Sequence, residues 1–211
     1  MYTGTGSVAR VAEDLGYEVH TFDIDPKCEP DICADILEFD YKTAFVPGYF
    51  DIIWASPPCE TFSTARRSNI GRVVKGEIMT AERLIRDMEE IGVPILRRTQ
   101  EIIEYLQPKV YFIENPFSGS MKNYIETKPI VYDYCMYGFG YRKRTAIWSS
   151  CKDLPGNKCD RSHLINGRHA MTAIGTSKTQ QGQGGGNSKH ARYSIPRDLI
   201  VHLLNHTQFN P

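Results

Sequence analysis

The stretch Phe-Asp-Ile-Ile-Trp-Ala-Ser-Pro-Pro-Cys at residues 50–59 decides the fold. Residues 50–55 are mostly apolar and predict a buried β-strand. Pro57 and Pro58 must end that strand, because proline has no N–H to donate to the ladder. Cys59 then stands at the carboxyl end of the strand, where open α/β sheets place their sites. A lone cysteine is usually an apolar filler, but one held on a rigid turn is a better candidate for a nucleophile.

The residues around this strand alternate apolar runs with amphipathic stretches, a pattern typical of βα units in a parallel sheet. The predicted elements are strands at 18–24, 50–55 and 110–114 and helices at 8–15 and 80–106. The second helix should break near Gly92 and Pro94. Further on, 130–137 and 145–148 should pair as antiparallel strands around Gly138 and Gly140. The predicted fold class is therefore α/β, with a mostly parallel sheet and an antiparallel edge.

The last third of the chain predicts a small irregular lobe and a closing helix. Residues 149–190 are rich in Gly, Ser, Lys and Gln, which favours a loop or a small irregular lobe. Pro196 opens a helix that should run to about Asn205. We therefore predict three parts: a main domain at 1–148, a small basic, Gly-rich C-terminal lobe at 149–192, and a C-terminal helix segment at 193–211 that packs back on the main domain.

The charge of the chain is balanced overall but unevenly distributed. The whole chain has 25 basic and 25 acidic residues, whereas residues 145–197 hold eight Lys and Arg against two Asp. A basic face on a neutral or acidic body suits contact with phosphates. The alternative is a solvated, irregular segment without a ligand.

Composition also indicates where the protein acts. No stretch approaches the roughly 20 apolar residues of a membrane span, and we find no basic-then-apolar leader. Six cysteines at irregular spacings are more typical of reduced intracellular thiols than of a disulfide framework. We expect a protein that is neither secreted nor membrane-bound, in the cytoplasm or the nucleus.

A glycine-rich turn, Tyr-Thr-Gly-Thr-Gly-Ser at residues 2–7, directly precedes the first predicted helix. Glycines there let the backbone turn tightly and approach a ligand closely. Asp23 and Asp25 end the next strand, where a carboxylate can accept hydrogen bonds from ribose hydroxyls. Asp35 lies further on and is placed to accept an adenine amino group. Each feature alone is also compatible with an ordinary turn or a solvated charge, but together they predict a nucleotide-type cofactor.

Two further motifs carry charged side chains. Phe-Ile-Glu-Asn-Pro at 112–116 is a strand that runs into an acid and a proline. Tyr-Arg-Lys-Arg at 141–144 would point Arg142 and Arg144 to the same side of a strand. A structural ion pair between Glu114 and these arginines is the alternative to a functional role.

In the order of these motifs the chain resembles the cytosine-C5 DNA methyltransferase family. That order is a glycine-rich turn, an acid after the second strand, a Pro-Cys turn, a Glu-Asn dipeptide, an Arg-x-Arg strand and an Ile-Pro segment before the last helix. The chain is most similar to compact members from viruses, phages and some microbial eukaryotes, in which proline follows the acid-asparagine pair, as at Pro116. The resemblance implies a Rossmann-like fold that binds S-adenosylmethionine, with 1–148 as the catalytic and cofactor-binding domain, and a chain that is virus- or phage-encoded.

The resemblance also implies a role for each motif. Cys59 would add to C6 of cytosine and make C5 nucleophilic, Glu114 would hold N3 and the exocyclic amine, and Arg142 and Arg144 would contact O2. The implied cofactor contacts lie in the glycine turn, at the acids and at the proline turn: Tyr2, Thr3, Gly4, Thr5, Gly6, Ser7, Asp23, Ile24, Asp35, Ile36 and Pro57.

The implied substrate is DNA. C6 is inaccessible inside a stacked duplex, so the base must be flipped out. We expect a flexible segment after Cys59 to close over the DNA and the basic lobe to hold phosphates. The candidate DNA contacts are Ser63, Arg66, Arg67, Arg72, Lys178, Lys189 and Arg192.

A metal is a further possibility in the basic segment. Cys151, Cys159, His163 and His169 fall within 19 residues, and thiolate and imidazole ligands suit tetrahedral zinc. A metal would hold together a lobe too small to fold alone. The spacing matches no strong signature, so unrelated residues are the alternative.

Two other functions compete with DNA methylation. The same Cys and Glu chemistry would serve a methyltransferase acting on a free pyrimidine nucleotide. A catalytically inactive DNA-binding or regulatory homologue is the second alternative. With so small a region for target recognition, a protein partner is a candidate source of sequence specificity, and we expect the chain itself to be a monomer.

Overall fold

The computed structural model describes residues 1–171 and 193–207. Its strands and longer helices follow the chain as α1 (Ser7–Asp14), β1 (Phe22–Asp23), β2 (Ile32–Cys33), α2 (Tyr41–Ala44), β3 (Ile52–Ala55), β4 (Val73–Val74), β5 (Glu77–Ile78), α3 (Ala81–Asp87), α4 (Val93–Leu106), β6 (Val110–Pro116), β7 (Ile130–Asp133), β8 (Arg144–Ser149) and α5 (Arg197–Asn205). None of the helices in these ranges has the length and apolar character of a membrane-spanning segment.

Parallel and antiparallel strands meet in one central sheet with the order β3-β6-β8-β7. β3 and β6 are parallel, with Ala55 opposite Ile113, whereas β8 is antiparallel to both of its neighbours. β1 and β2 form a separate parallel pair. The α/β class, with parallel strands and an antiparallel edge, is therefore confirmed.

Residues 1–3 connect the two parallel pairs. The nitrogen of Met1 donates to the carbonyl oxygen of Trp54 at 2.7 Å, and the N–H of Thr3 donates to the carbonyl oxygen of Phe22 at 3.0 Å. Residues 1–3 thus lie between β3 and β1 and form hydrogen bonds to both, although they are not themselves a β-strand. They bring the carboxyl ends of both pairs to one side of the molecule.

Helices cover both faces of the central sheet. Phe112 and Ile147 face one core with α1 and α5, and Ile113 and Trp148 face another core with α4. Neighbouring residues of β6 and β8 alternate between the two cores because side chains of a strand point to opposite faces in turn. In α5, the buried residues Leu199, Ile200, Leu203 and Leu204 lie on one face of the helix.

Two predicted strands are shorter in the structure than in the sequence pattern. The strand predicted at 18–24 is reduced to Phe22–Asp23, because its partner β2 begins only at Ile32. The strand predicted at 130–137 ends at Asp133, which pairs with Arg144 at the start of β8. Beyond that pair the chain turns into a 3-10 helix, Tyr134–Tyr137.

The predicted break at Gly92 is a π-helical turn, Met88–Gly92, so α3 continues into α4. A Cβ at Gly92 would overlap the Oγ1 of Thr61. Glycine thus lets the helix approach the segment that follows Cys59. Pro94 directly follows this π-helical turn and has no N–H to donate to the preceding turn of the continuous helix.

Replacing Gly92 by alanine should lower the free energy of unfolding by about 1–3 kcal/mol, because a methyl group is forced into a filled space. Chemical denaturation of the wild type and the variant measures the difference.

As a control, the same Gly92→Ala substitution is made in a Thr61→Ala variant, which lacks the side chain that the new methyl group would meet. The Thr61 hydroxyl is buried and has no hydrogen-bond partner within the described residues, so its loss should cost little. In that background the cost of Gly92→Ala should fall by roughly half or more, since the two side chains are coupled. Equal costs in both backgrounds would contradict this contact.

Candidate active site

A cleft of about 720 Å³ runs from residues 16–21 and 49–51, which precede β1 and β3, to the carboxyl ends of β1, β2, β3 and β6. The glycine turn, Cys59 and Glu114 all line it. This is where open α/β sheets bind their ligands, and the volume is within the range of small-molecule sites. The cleft is therefore the candidate active site.

A hydrogen bond from a residue of β6 fixes the turn that carries Cys59. The Nδ2 of the buried Asn115 donates to the carbonyl oxygen of Pro57 at 2.9 Å. Burial raises the pKa of the Cys59 thiol and the nearby Glu114 carboxylate raises it further, whereas Lys143 opposes this increase. The cation of Lys143 thus favours the ionised form of the thiol against burial and the nearby acid.

Glu114 is a buried acid at the end of β6. The hydroxyl of Tyr134 donates to its Oε1 at 3.1 Å. Burial raises the pKa of the Glu114 carboxyl, and Lys143, Tyr134 and Ser56 offset part of this increase. Such an acid keeps its proton to a higher pH than an exposed glutamate and is suited to donate a hydrogen bond.

Arg142 and Arg144 point to the same side of the chain, but they contact Asp133. The Nε of each arginine lies 3.1 Å from a carboxylate oxygen of this aspartate, whose side chain is fully buried. Neither arginine lines the cleft in the described part of the chain, whereas Lys143 does. The structure therefore does not bring the two arginines to Cys59. The acid that pairs with them is Asp133 and not Glu114.

Asp23 is largely occupied by the backbone around it. Its Oδ2 accepts a hydrogen bond from the N–H of Gly4 and its Oδ1 accepts one from the N–H of Asp25, both at 2.9 Å. The carboxylate therefore holds the glycine turn in place at the end of β1. Ile24, the next residue, is 63% exposed and offers an apolar surface at the cleft.

Most of the predicted cofactor contacts line the cleft. These are Tyr2, Thr3, Gly4, Thr5, Ser7, Asp23, Ile24, Asp35, Ile36 and Pro57. Gly6 is not among them; with a φ of 67° it is the residue from which α1 begins. Asp35 accepts a hydrogen bond from the N–H of Leu37 at 2.9 Å.

The segment before α5 contributes to the cleft, which the sequence analysis missed. The Ser7 Oγ accepts a hydrogen bond from the N–H of Ile195 at 3.2 Å, and the Tyr193 hydroxyl donates to Glu60 at 3.2 Å. Both Tyr193 and Ile195 line the cleft. These contacts join residues more than 130 positions apart, so no local pattern predicts them.

The predicted DNA contacts have different surroundings. Ser63 caps the 3-10 helix Thr64–Asn69, and Arg66 forms an ion pair with Asp87. Arg67 and Arg72 are exposed. Instead of a purely irregular stretch, the segment after Cys59 contains this helix and the β4–β5 hairpin. Lys178, Lys189 and Arg192 lie outside the described residues.

Three of the four predicted metal ligands come together, but Cys151 does not join them. Its Sγ contacts the carbonyl oxygens of Lys152 and His206. Cys135 takes its place beside Cys159, His163 and His169. Sequence spacing favoured Cys151 because it is near in the chain, whereas Cys135 is brought in by β7.

Comparison with known proteins gives one strong similarity. The chain is 38% identical to a probable DNA (cytosine-5)-methyltransferase of Frog virus 3 (isolate Goorha), over 97% of each chain. A comparison with models of protein families finds no match. At this identity and coverage, the chain belongs to the DNA (cytosine-5)-methyltransferase family.

Proposed function

We propose that the protein transfers a methyl group from S-adenosylmethionine to C5 of a cytosine in DNA, through a covalent bond between Cys59 and C6 of the base. The observation that carries the proposal is the meeting of Cys59, Glu114 and Lys143 in one cleft with the glycine turn. The name of the viral relative supports DNA methylation.

The cleft suits S-adenosylmethionine in size and chemistry. Gly4 and Gly6 have positive φ angles, which lets the backbone turn tightly beside a ligand. Asp23 ends β1, Asp35 lies just after its parallel neighbour β2, and both line the cleft, where they would accept hydrogen bonds from ribose and adenine. The exposed Ile24 would cover one face of the adenine. When bound, the cofactor supplies an electrophilic methyl group. We further propose that the cofactor-binding part has a Rossmann-like fold.

The protein's own groups would activate the base. The Cys59 thiolate adds to C6, and the electron pair displaced from the C5–C6 double bond makes C5 nucleophilic. Glu114, whose pKa is raised by burial, would in its protonated form donate to N3 and disperse the negative charge of the ring. Transfer of the methyl group to C5 would break its bond to the cofactor sulfur and leave the cofactor as a neutral thioether. Loss of the C5 proton to a base would then let the Cys59–C6 bond break, which releases the thiolate and 5-methylcytosine.

We assign the cation of this site to Lys143. Its charge favours the ionised forms of both Cys59 and Glu114, and it lines the cleft. Arg142 and Arg144 instead hold the strand through the buried Asp133. Lys143, between the two arginines, is thus placed to face the base while they face away from it.

DNA contact would involve both sides of the cleft. A flipped base is needed to bring C6 to the half-buried Cys59. Arg67 and Arg72, which are exposed in the segment that follows Cys59, are suited to hold phosphates. We retain the proposal that 149–192 contacts the target while 1–148 and 193–211 form the catalytic body.

Replacing Cys59 by serine should abolish methyl transfer, because a hydroxyl is a far weaker nucleophile than a thiolate. The assay measures labelled methyl transfer to duplex DNA, single-stranded DNA and free dCMP. Wild-type protein should also form an adduct with DNA containing 5-fluorocytosine that survives denaturation, since fluorine at C5 cannot leave as a proton would.

Cys135→Ser does not serve as a control here, because it alters the Cys/His cluster; Cys33→Ser, at an exposed thiol, is the matched control and should leave transfer unchanged. Equal adduct formation by Cys59→Ser would refute the role of this residue. Transfer to dCMP alone would favour the free-nucleotide alternative.

Replacing Lys143 by methionine should lower kcat/KM on the order of 10²-fold, because one charged group at the reacting base is lost. Without the cation the pKa values of Cys59 and Glu114 both increase, so the whole pH–rate profile should move to higher pH. The measurement is kcat/KM as a function of pH.

Lys143→Arg should restore most of the activity and return the profile toward the wild type, because the charge is kept. Arg142→Met should reduce stability without moving the profile, since this arginine contacts Asp133. A shift caused by Arg142→Met and absent in Lys143→Met would reverse our assignment.

A further inference from the structure

Two cysteines and two histidines from separate parts of the chain meet beside β7. The ligand atoms of Cys135, Cys159, His163 and His169 all lie within 4.8 Å of one another. The Sγ of Cys159 is 3.5 Å from the Nε2 of His169 and 3.9 Å from the Nε2 of His163. The rings of the two histidines are 5.2 Å apart between centroids.

Regular local structure brings the four groups together. Cys135 lies in the 3-10 helix that follows β7. Asn157 pairs with the outer edge of β7, since it accepts a hydrogen bond from Asp133 and donates one to Val131. The N–H of Cys159 then donates to the carboxylate of Asp133 at 2.8 Å. Both cysteines are therefore anchored to the same end of the sheet.

The two histidines flank a tight hairpin. Ile165 and Arg168 exchange two backbone hydrogen bonds, and Asn166 and Gly167 between them have φ angles of 51° and 72°. Positive φ at both central residues is the mark of a type I′ turn, which Asn-Gly favours. The turn folds the chain back, so that His163 and His169 come to the same side of Cys159.

We propose that Cys135, Cys159, His163 and His169 bind a structural Zn²⁺ ion. In tetrahedral zinc, bond lengths of about 2.3 Å to sulfur and 2.05 Å to nitrogen place a sulfur and a nitrogen ligand about 3.6 Å apart. The two Sγ–Nε2 distances lie close to this value. Two thiolates and two imidazoles select zinc over magnesium or calcium, and four protein ligands leave no open position for catalysis.

The described part of the lobe, 149–171, contains three of these ligands and has almost no core of its own. Within 150–171, Leu154 is the single buried apolar side chain. So small a buried surface cannot stabilise a lobe of this length, whereas a bound zinc ion supplies folding free energy directly. The ion would fasten the lobe to the sheet at the position of Cys135.

The site would also support the catalytic strand. Cys135 directly follows Tyr134, which donates to Glu114. Cys159 donates to Asp133, whose carboxylate holds the two arginines on either side of Lys143. Zinc would therefore fix the end of β7 from which Glu114 and Lys143 are both positioned, although it takes no part in the reaction.

Metal content tests the proposal without any measurement of methylation. Protein purified under reducing conditions should contain one zinc per chain by elemental analysis. After removal by a chelator, Co²⁺ should bind in the same stoichiometry and give the visible absorption of a tetrahedral thiolate complex. Wild-type protein that binds neither metal would overturn the proposal, as would a Cys135–Cys159 disulfide in place of free thiols.

Four single variants separate this ligand set from the neighbouring thiol. The bound zinc ion should be lost in three variants: Cys135→Ser, Cys159→Ser and His169→Asn. The matched control, Cys151→Ser, should keep it. Each variant is checked by circular dichroism, and the Co²⁺ absorption of the wild type remains decisive where a variant does not fold. Loss of zinc in Cys151→Ser with retention in Cys135→Ser would overturn the assignment.

Discussion

The parallel pairing of β3 with β6 is the interaction on which the site depends. Both strands end at the same edge of the sheet, so the turn after β3 and the acid at the end of β6 must lie side by side. The bond from Asn115 to the carbonyl oxygen of Pro57 locks this arrangement at its open end. Because Pro57 and Pro58 have no N–H to donate to a neighbouring strand, the chain leaves the sheet there and Cys59 is presented at the cleft.

A second constraint acts through the buried carboxylate of Asp133. It accepts hydrogen bonds from Arg142, Arg144 and the N–H of Cys159. A buried carboxylate without such partners would be very costly, so its three partners are held together as a group. The antiparallel edge of the sheet thereby connects the small lobe to the cleft.

Local patterns were sufficient for a large part of the fold. The helices at α1 and α5, the strand β3 with its proline turn and the strand β6 each have a distinctive sequence, so they could be predicted from it. The length of β1 could not, because it depends on where its partner β2 begins.

Residues set by long-range contacts were harder to predict. The alternation of side chains put Arg142 and Arg144 on the same side of the chain, as the structure has them. It does not say which side faces the cleft. That is decided by Asp133, which pairs with both arginines. In the same way, spacing selected Cys151 for the Cys/His cluster, whereas the pairing of Asn157 with β7 brings Cys135 there instead. Tyr193 and Ile195 reach the cleft only after the whole chain has folded.

The burial of Glu114 couples base recognition to the stability of the protein. Its pKa is raised in the folded state, so the folded protein holds this proton more firmly than the unfolded chain does. Stability from this group is therefore complete at pH values below the unfolded pKa and is lost as the pH rises through the folded pKa. Above that range the buried carboxylate of Glu114 carries a poorly solvated negative charge. A cytosine that receives a hydrogen bond from protonated Glu114 would oppose this loss of stability. Binding of the cytosine at such a pH would be accompanied by the uptake of a proton.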